Sequence, residues 1–121
     1  MQIQINLDTR IAHAQNKFHE VYPYLKIDFY NKPHDEEELS RVSDMISPNE
    51  LFSSIKTIMR PESIDIGEER TVAQVEQEFY DKFGVAMQVS RKSGDVWLQT
   101  SKTDHLTLKK QNESGKAMSE K

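Results

Sequence analysis

Two stretches of the chain repeat one pattern: IQINLDTRIAHAQNKFHEVYPYLKIDFYNK at residues 3–32 and IDIGEERTVAQVEQEFYDKFGVAMQVSRK at residues 64–92. With a one-residue deletion the two align over their whole length, so that Ile3 falls on Ile64. In each stretch apolar residues alternate, then recur at a helical spacing, and then alternate again. Each stretch therefore predicts a strand, a helix and a second strand, as expected of an internal repeat.

The ends of the two predicted helices carry recognisable stop and cap residues. Asp8 or Thr9 is expected to cap the first helix, and Pro23 ends it because a proline cannot continue the hydrogen-bond ladder. Thr71 is expected to be the N-cap of the second helix, and Gly84 predicts a left-handed C-cap.

A hairpin is predicted directly after the second copy. Ser93-Gly94-Asp95 is a turn signal between two alternating runs. With Ser93 and Gly94 as the turn residues, Leu98 would join the core beside Val89, and Trp97 would lie on the opposite face beside Ser90.

The segment between the copies, residues 33–62, is predicted to be an inserted loop and helix. Ser47-Pro48-Asn49-Glu50 combines an N-cap serine, a proline at the first helical position and a glutamate three residues after the cap. Apolar residues from Leu51 to Met59 supply one helical face, and Pro61 ends it.

Two strand–helix–strand units predict an α+β, ferredoxin-like two-layer sandwich, with one antiparallel sheet and both helices on one of its faces. Ile3 and Ile5 alternate with polar residues, whereas strands buried on both faces read as continuous apolar runs. The second face of the sheet is therefore expected to be open or covered by an extra element. A ubiquitin-like roll formed by the second half is the alternative fold. We expect one domain over residues 1–112 and a flexible tail at 113–121.

Composition narrows the class of protein. The 121 residues suffice for one domain, and the net charge of −4 argues against binding to nucleic acid mainly through phosphate contacts. The absence of cysteine excludes disulfides and thiolate metal sites. No apolar run approaches the ~20 residues that span a bilayer, and the first residues lack the features of a signal peptide. We expect a cytoplasmic protein that binds neither membrane nor nucleic acid.

No catalytic or metal-binding motif stands out. His13 and His19 are six residues apart, so they do not share one face of a helix. No HExxH, paired-cysteine or EF-hand spacing is present, and no motif selects a pair among the acidic residues. We predict no catalytic residue, no metal site and no cofactor. The acidic run at 35–38 could attract a basic partner, although such runs are usually solvated loops.

The open sheet face is the candidate binding surface. An aromatic ring with amides and nearby cations suits a peptide, a ligand carboxylate or a partner sheet. Alternatively, Trp97 packs under the helix that starts near Ser47, or under the C-terminal segment. The candidate binding residues are Trp97, Ser90, Gln88, Gln99 and Tyr30 on the face, with Arg91 and Lys92 at the hairpin tip.

The stretch VSRKSGDVWLQTSKTDHLTLKKQN, residues 89–112, resembles the C-terminal signature of a small family of uncharacterised bacterial proteins. The resemblance covers about the last third of the chain. It implies that the hairpin and the following helix start belong to a shared design, and it implies no activity, cofactor or substrate. The matching blocks are Arg91–Gly94, Val96–Leu98, Thr103–Asp104 and Thr107–Asn112.

Two functional hypotheses follow. The first is a non-catalytic binding or assembly module that acts through the open sheet face and the C-terminal hairpin, with a protein partner or a second copy, as a homodimer, on that surface. The alternative is a small enzyme or ligand sensor with a pocket between the inserted helix and the sheet. The face that Trp97 occupies distinguishes them.

Overall fold

The computed structural model describes residues 1–31, 44–56 and 60–120. The acidic run at 35–38 and the predicted end of the inserted helix at 57–59 lie outside the described residues. The elements in chain order are β1 (Gln2–Ile5), α1 (Ile11–Val21), β2 (Leu25–Tyr30), α2 (Phe52–Ile55), β3 (Glu62–Asp65), α3 (Val72–Phe83), β4 (Ala86–Ser93), β5 (Val96–Gln99), a 3-10 helix (Ser101–Thr103) and α4 (Leu108–Ser119).

The strands form two antiparallel sheets. β1 pairs with β3, and the second sheet has the order β2-β4-β5. The predicted α+β class is confirmed. The single sheet of the ferredoxin-like prediction is not found, because among the described residues no ladder joins one sheet to the other. Alternation fixes which face of each strand is buried but not which edge it pairs through, so the repeat is compatible with either arrangement.

The register of both strand pairs follows the predicted repeat. In the β1–β3 pair Ile3 lies opposite Ile64, the residue with which it aligns in sequence. In the β2–β4 pair Asp28 lies opposite Gln88, again its aligned residue. If each residue is replaced by its aligned residue in the other half, the pairings in β1–β3 and in β2–β4 stay the same. This is the pattern expected when a pseudo-two-fold axis relates the two halves.

The turn before α2 caps α1 instead of starting a helix. The N–H groups of Ile11 and Ala12 donate to the carbonyl oxygens of Glu50 (2.8 Å) and Pro48 (2.9 Å). The inserted helix was predicted to begin at this proline; it begins later, at Phe52. The reason is that the carbonyl groups of Pro48 and Glu50 accept hydrogen bonds from the first N–H groups of α1, which have no partner within their own helix.

The same contact is repeated in the second half. The N–H groups of Val72 and Ala73, which begin α3, donate to the carbonyl oxygens of Leu106 (3.1 Å) and Asp104 (2.9 Å). Leu108 then begins α4, as Phe52 begins α2. The structural repeat therefore extends beyond the aligned sequence to a capping turn and a helix start in each half.

Both predicted caps of α3 are confirmed. Thr71 accepts from the backbone N–H of Gln74, whose side chain accepts in return from the N–H of Thr71. Gly84 ends the helix in the left-handed region at φ 65°. The predicted cap of α1 is wrong, because its N-cap is Arg10 and no side chain supplies a capping bond.

One core unites the two halves. Its centre is a cluster of four phenylalanine rings, with centroid separations of 5.1 to 6.3 Å. Burying each ring contributes roughly 1.5–3 kcal/mol before conformational entropy is subtracted. The rings are those of Phe29 and Phe52 from the first half and Phe79 and Phe83 from the second.

The C-terminal residues are more ordered than predicted. Residues 113–119, expected to be a flexible tail, continue α4 to Ser119. Gly115 is buried, and a Cβ atom at this position would lie 2.8 Å from Cβ of Tyr24. The missing side chain thus lets α4 pack closely at the start of β2.

Within the described ranges, no helix combines the length and apolar character needed to cross a membrane.

Candidate functional site

The candidate surface is built on the β4–β5 hairpin, whose turn residues are Gly94 and Asp95. Gly94 has φ 62°, which glycine adopts at no steric cost. Ser93 lies opposite Val96 and Lys92 opposite Trp97. The predicted register was wrong by a shift of two residues. A shift of two preserves the alternation of faces, so the sequence pattern could not reveal it.

The actual register leaves the apolar side chains of β5 exposed. Leu98 lies opposite Arg91 instead of Val89, and it is 46% exposed where the prediction placed it in the core. Val96, on the same face, is 55% exposed. β5 thus presents two large apolar side chains to solvent on one face.

The backbone of β5 also directs hydrogen-bonding groups away from the sheet at Trp97. The N–H of Lys92 donates to the carbonyl oxygen of Tyr24 on β2 (2.9 Å). In an antiparallel sheet successive residues bond to opposite sides, so Arg91 and Ser93 direct their backbone groups to β5. Trp97, opposite Lys92, therefore directs its own N–H and C=O away from β4. β5 is the end strand of its sheet among the described residues.

The other edge of this sheet is covered. The side chain of Gln15 on α1 donates to the carbonyl oxygen of Ile27 (3.0 Å). One turn later, Nδ1 of His19 lies 2.8 Å from the carbonyl oxygen of Leu25, and since a carbonyl only accepts, Nδ1 is the donor. Side chains of α1 thus protect the edge of β2 from pairing with another chain.

Trp97 is half-buried on the face opposite Leu98 and Val96. Nζ of Lys26 lies 5.4 Å from the centroid of its ring, within the range of a cation–π interaction. The ring of His19 meets it edge-on at 6.2 Å. Gln99 lies beside Ser90 on the same face. Trp97 therefore lies across the sheet towards α1 and does not project into solvent.

The predicted open face is largely closed. Gln88, Ser90 and Tyr30 are 1%, 5% and 3% exposed. The hydroxyl of Ser101 donates to the side-chain oxygen of Gln88 at 3.1 Å, so residues after β5 contribute to the cover. Of the seven candidate residues, these three are too buried to contact a partner. Trp97 and Lys92 remain partly exposed near the turn of the hairpin, and Gln99 at the far end of β5.

Arg91 lies apart from the other candidates. It was predicted at the hairpin tip, but its side chain is on the face of Leu98, beneath α4. Its Nη1 donates to the side-chain oxygen of Gln111 (3.1 Å), and its Cγ lies 3.1 Å from the position of a Cβ atom on Gly115. These contacts indicate that Arg91 supports the packing of α4.

Sequence reasoning missed Glu76, a largely buried carboxyl group on the flank of α3. Its Oε2 accepts from the backbone N–H of Val89 at 3.3 Å. Burial raises its pKa to about 8, the bond from Val89 acts in the opposite direction, and the negative charge of Asp104 adds to the rise. Glu76 is one of several charged residues in its helix, and the sequence gives no sign that this one is buried.

Open cavities lie elsewhere on the surface. One, of about 430 Å³, lies beside α2, and Glu50 is the ionisable residue among its described lining. Its other lining residues are Asn31, Met45, Ile46, Ser47, Ser54 and Ile55. Among the described residues, no three histidine or acidic side chains lie close enough together to hold a metal ion.

Comparisons of the chain with protein-family models, with curated proteins and with solved structures found no match. The resemblance of residues 89–112 to uncharacterised bacterial proteins thus stays a prediction.

Proposed function

We propose that the protein is a non-catalytic binding or assembly module, and that its binding element is the outer edge of β5. A partner chain, or a second copy of this one, adds an extended strand to the sheet β2-β4-β5. The observation that carries the proposal is an end strand with outward backbone groups at Trp97 and exposed apolar side chains at Val96 and Leu98.

Strand addition explains both features of β5. Main-chain hydrogen bonds supply affinity, and the side chains that alternate above and below the added strand supply specificity. An exposed apolar edge strand is an aggregation hazard unless it is covered, and the opposite edge of this sheet is covered by Gln15 and His19. The difference between the two edges supports a binding role for β5.

A peptide-display selection tests the proposal. Random linear peptides are selected on the wild-type protein, and the enriched peptides are then measured on Trp97→Pro and Trp97→Val. Proline removes the outward N–H, and because this group faces away from β4, the ladder of the hairpin is retained. Valine removes the ring and keeps the N–H.

We expect peptides that bind the wild type and Trp97→Val but bind Trp97→Pro at least about tenfold more weakly, which is about 1.4 kcal/mol. Circular dichroism confirms that both variants are folded. Equal binding to Trp97→Pro would overturn the proposal, as would a protein that enriches no peptide and also stays monomeric in light scattering. Light scattering over a range of concentrations shows whether a second copy occupies the edge, and loss of that association in Trp97→Pro also supports the proposal.

Two finer predictions remain proposals beside this function. The internal repeat supports an origin of the fold from a duplicated, ferredoxin-like βαβ unit, with its strands divided between two sheets. The cytoplasmic location, a default expectation for this composition, also stays a proposal.

A further inference from the structure

The sheet β2-β4-β5 can be extended on one side. Side chains of α1 cover the outer edge of β2, whereas β5 ends the sheet among the described residues. Two copies of the chain that meet through β5 use both available edges at once. Because no edge is then left for a third copy, the result is a closed, two-fold symmetric pair and not a fibre.

β5 has none of the features by which edge strands avoid pairing with another chain. Such strands usually carry lysine, proline, inward charges or a bulge. β5 reads Val-Trp-Leu-Gln, with neither a charged residue nor a proline, and its four residues pair with β4 without a bulge. Each molecule therefore presents an edge with which another copy of the same chain can pair.

The backbone and the apolar side chains of β5 favour one register for such a pair. Trp97, in the middle of the strand, directs its N–H and C=O away from β4. Two antiparallel copies centred on Trp97 exchange both hydrogen bonds at this residue and place Val96 of each copy opposite Leu98 of the other. A centre at Val96 would leave Leu98 opposite Gly94, and a centre at Leu98 would leave Val96 opposite Thr100.

This register is also free of opposed like charges, which destabilise a strand pair. Asp95 of one copy would lie opposite Gln99 of the other, which is neutral. Lys92 lies on β4, so both β5 strands separate it from its counterpart in the second copy. The strand is therefore complementary to itself in backbone direction, apolar side chains and charge.

We propose that the occupant of the β5 edge is a second copy of this chain, in an antiparallel pair centred on Trp97 that joins the two sheets into one of six strands. The inference rests on the proposed function of β5 and names its partner. β5 has four residues, which is a short contact beside stable interfaces that bury about 1,200–2,000 Å². The dimer therefore dissociates on dilution.

Cysteine cross-linking tests the register, since the chain has no cysteine of its own. Val96→Cys and Leu98→Cys are oxidised separately and as an equimolar mixture at the same total concentration. In the proposed register the Cα atoms of position 96 and position 98 of the other copy lie about 4.5 Å apart, whereas identical positions face each other diagonally at about 7–8 Å. We expect disulfide-linked dimers to form at least about fivefold faster in the mixture, because only the shorter distance suits a disulfide.

Sedimentation velocity over a range of concentrations measures the association itself. Leu98→Lys places a charge within the apolar pair. Leu7→Lys is its matched control, since Leu7 is 60% exposed and lies between β1 and α1, outside this sheet. We expect the wild type and Leu7→Lys to dimerise alike, and Leu98→Lys and Trp97→Pro to dimerise at least about tenfold more weakly. The cross-linking decides the register even if one of these variants fails to fold.

A wild type that stays monomeric up to about 1 mM would overturn the self-pairing. If selected peptides bind that monomer at β5, strand addition stands and the partner is a different chain. A dimer that Leu98→Lys and Trp97→Pro leave intact would place the contact elsewhere, and a single cysteine variant that cross-links as fast as the mixture would place its centre at another residue. Either result also overturns the proposal. A selected peptide that dissociates the dimer supports both the proposed function and the self-pairing, because the two ligands then compete for one edge.

Discussion

α1 and α3 occupy equivalent places in the two halves of the chain, yet their aligned positions differ in chemistry. Both helices begin on the carbonyl groups of a following turn, and both pack against the strands of their own half. The repeated backbone plan therefore does not require the same side chains. Three aligned pairs differ in residue: Arg10 and Thr71 at the N-cap, Gln15 and Glu76 on the flank, and Tyr22 and Phe83 in the last turn. A fourth pair, Phe18 and Phe79 in the core, keeps the residue but differs in its aromatic neighbours.

The core pair should give the largest difference. Phe79 lies 5.1 Å from Phe29 and 5.9 Å from Phe83, whereas the aromatic neighbour of Phe18 is Tyr22, at 5.3 Å. Phe→Ala in a core costs about 3–5 kcal/mol, and each aromatic pair adds about 0.5–1.5 kcal/mol. We expect Phe79→Ala to lower the free energy of unfolding more than Phe18→Ala does, as measured by urea denaturation. Equal losses would contradict this prediction and show that the aromatic neighbours of Phe79 add nothing to its contribution.

The flank pair should show its difference in pH dependence. The ordinary pKa of a glutamate is 4.5, and that of Glu76 is raised to about 8 in the folded state. Because the folded state holds the proton more tightly, the contribution of Glu76 to stability is complete below pH 4.5. It falls as the pH rises to 8 and is lost above it. Gln15 of α1 carries no charge and has no such effect.

Glu76→Gln, which makes the two flanks alike, should remove this dependence. We expect its free energy of unfolding at pH 8 to exceed that of the wild type by a few kcal/mol, with little difference at pH 4. Urea denaturation at a series of pH values measures both. A wild type whose stability rises between pH 5 and 8 relative to Glu76→Gln would contradict the assignment.

The structural features that could be predicted from the sequence are those that depend on residues close together in the chain. Alternation identified β2 and the buried side chains Ile27 and Phe29, and local chemistry identified the caps Thr71 and Gly84. These features follow from the period of each element and from backbone geometry, which short stretches of sequence specify. The fold of each half was therefore predictable.

The rest depends on contacts between distant parts of the chain. A shift of two residues in the register of β5 preserves the faces of Trp97 and Leu98, so alternation does not detect it. Pro48 reads as a helix start, and only the position of α1 shows that its carbonyl group caps another helix. Glu76 reads as a solvated residue until Val89 of β4 is placed beside it. The candidate site was therefore only partly predictable.

The pair in the last helical turn tests a contact that only the first half has. The hydroxyl of Tyr22 donates to the carbonyl oxygen of Ile66 at 2.6 Å, which joins α1 to the end of the strand pair β1–β3. Burial, followed by the charges of Glu68 and Asp65, raises the pKa of Tyr22 to about 12. Tyr22→Phe makes the position like Phe83 and leaves a buried carbonyl group without its donor.

We expect Tyr22→Phe to cost about 1–3 kcal/mol in the free energy of unfolding, because a buried polar group loses its partner. Phe83→Tyr is the reciprocal change. Phe83 is buried among phenylalanine rings, so a hydroxyl there should also destabilise the protein. Thermal denaturation measures both variants. A neutral Tyr22→Phe would show that water replaces the hydroxyl without cost.

The N-cap pair should give the smallest difference. Thr71 takes part in a reciprocal capping box with Gln74, whereas α1 starts at Arg10, which makes no side-chain capping bond. Thr71→Ala should lower the free energy of unfolding by about 1 kcal/mol, and Thr71→Ser should restore most of it. Arg10→Ala should cost less than about 0.5 kcal/mol, since exposed side-chain contacts contribute little.

Because both helices also have their first N–H groups capped by carbonyl groups of a following turn, the side-chain cap of α3 is an addition to a cap that both halves share. If Arg10→Ala proved as costly as Thr71→Ala in chemical denaturation, this ranking would be contradicted. The side chain at the N-cap position would then stabilise both helices, in addition to the turn that they share.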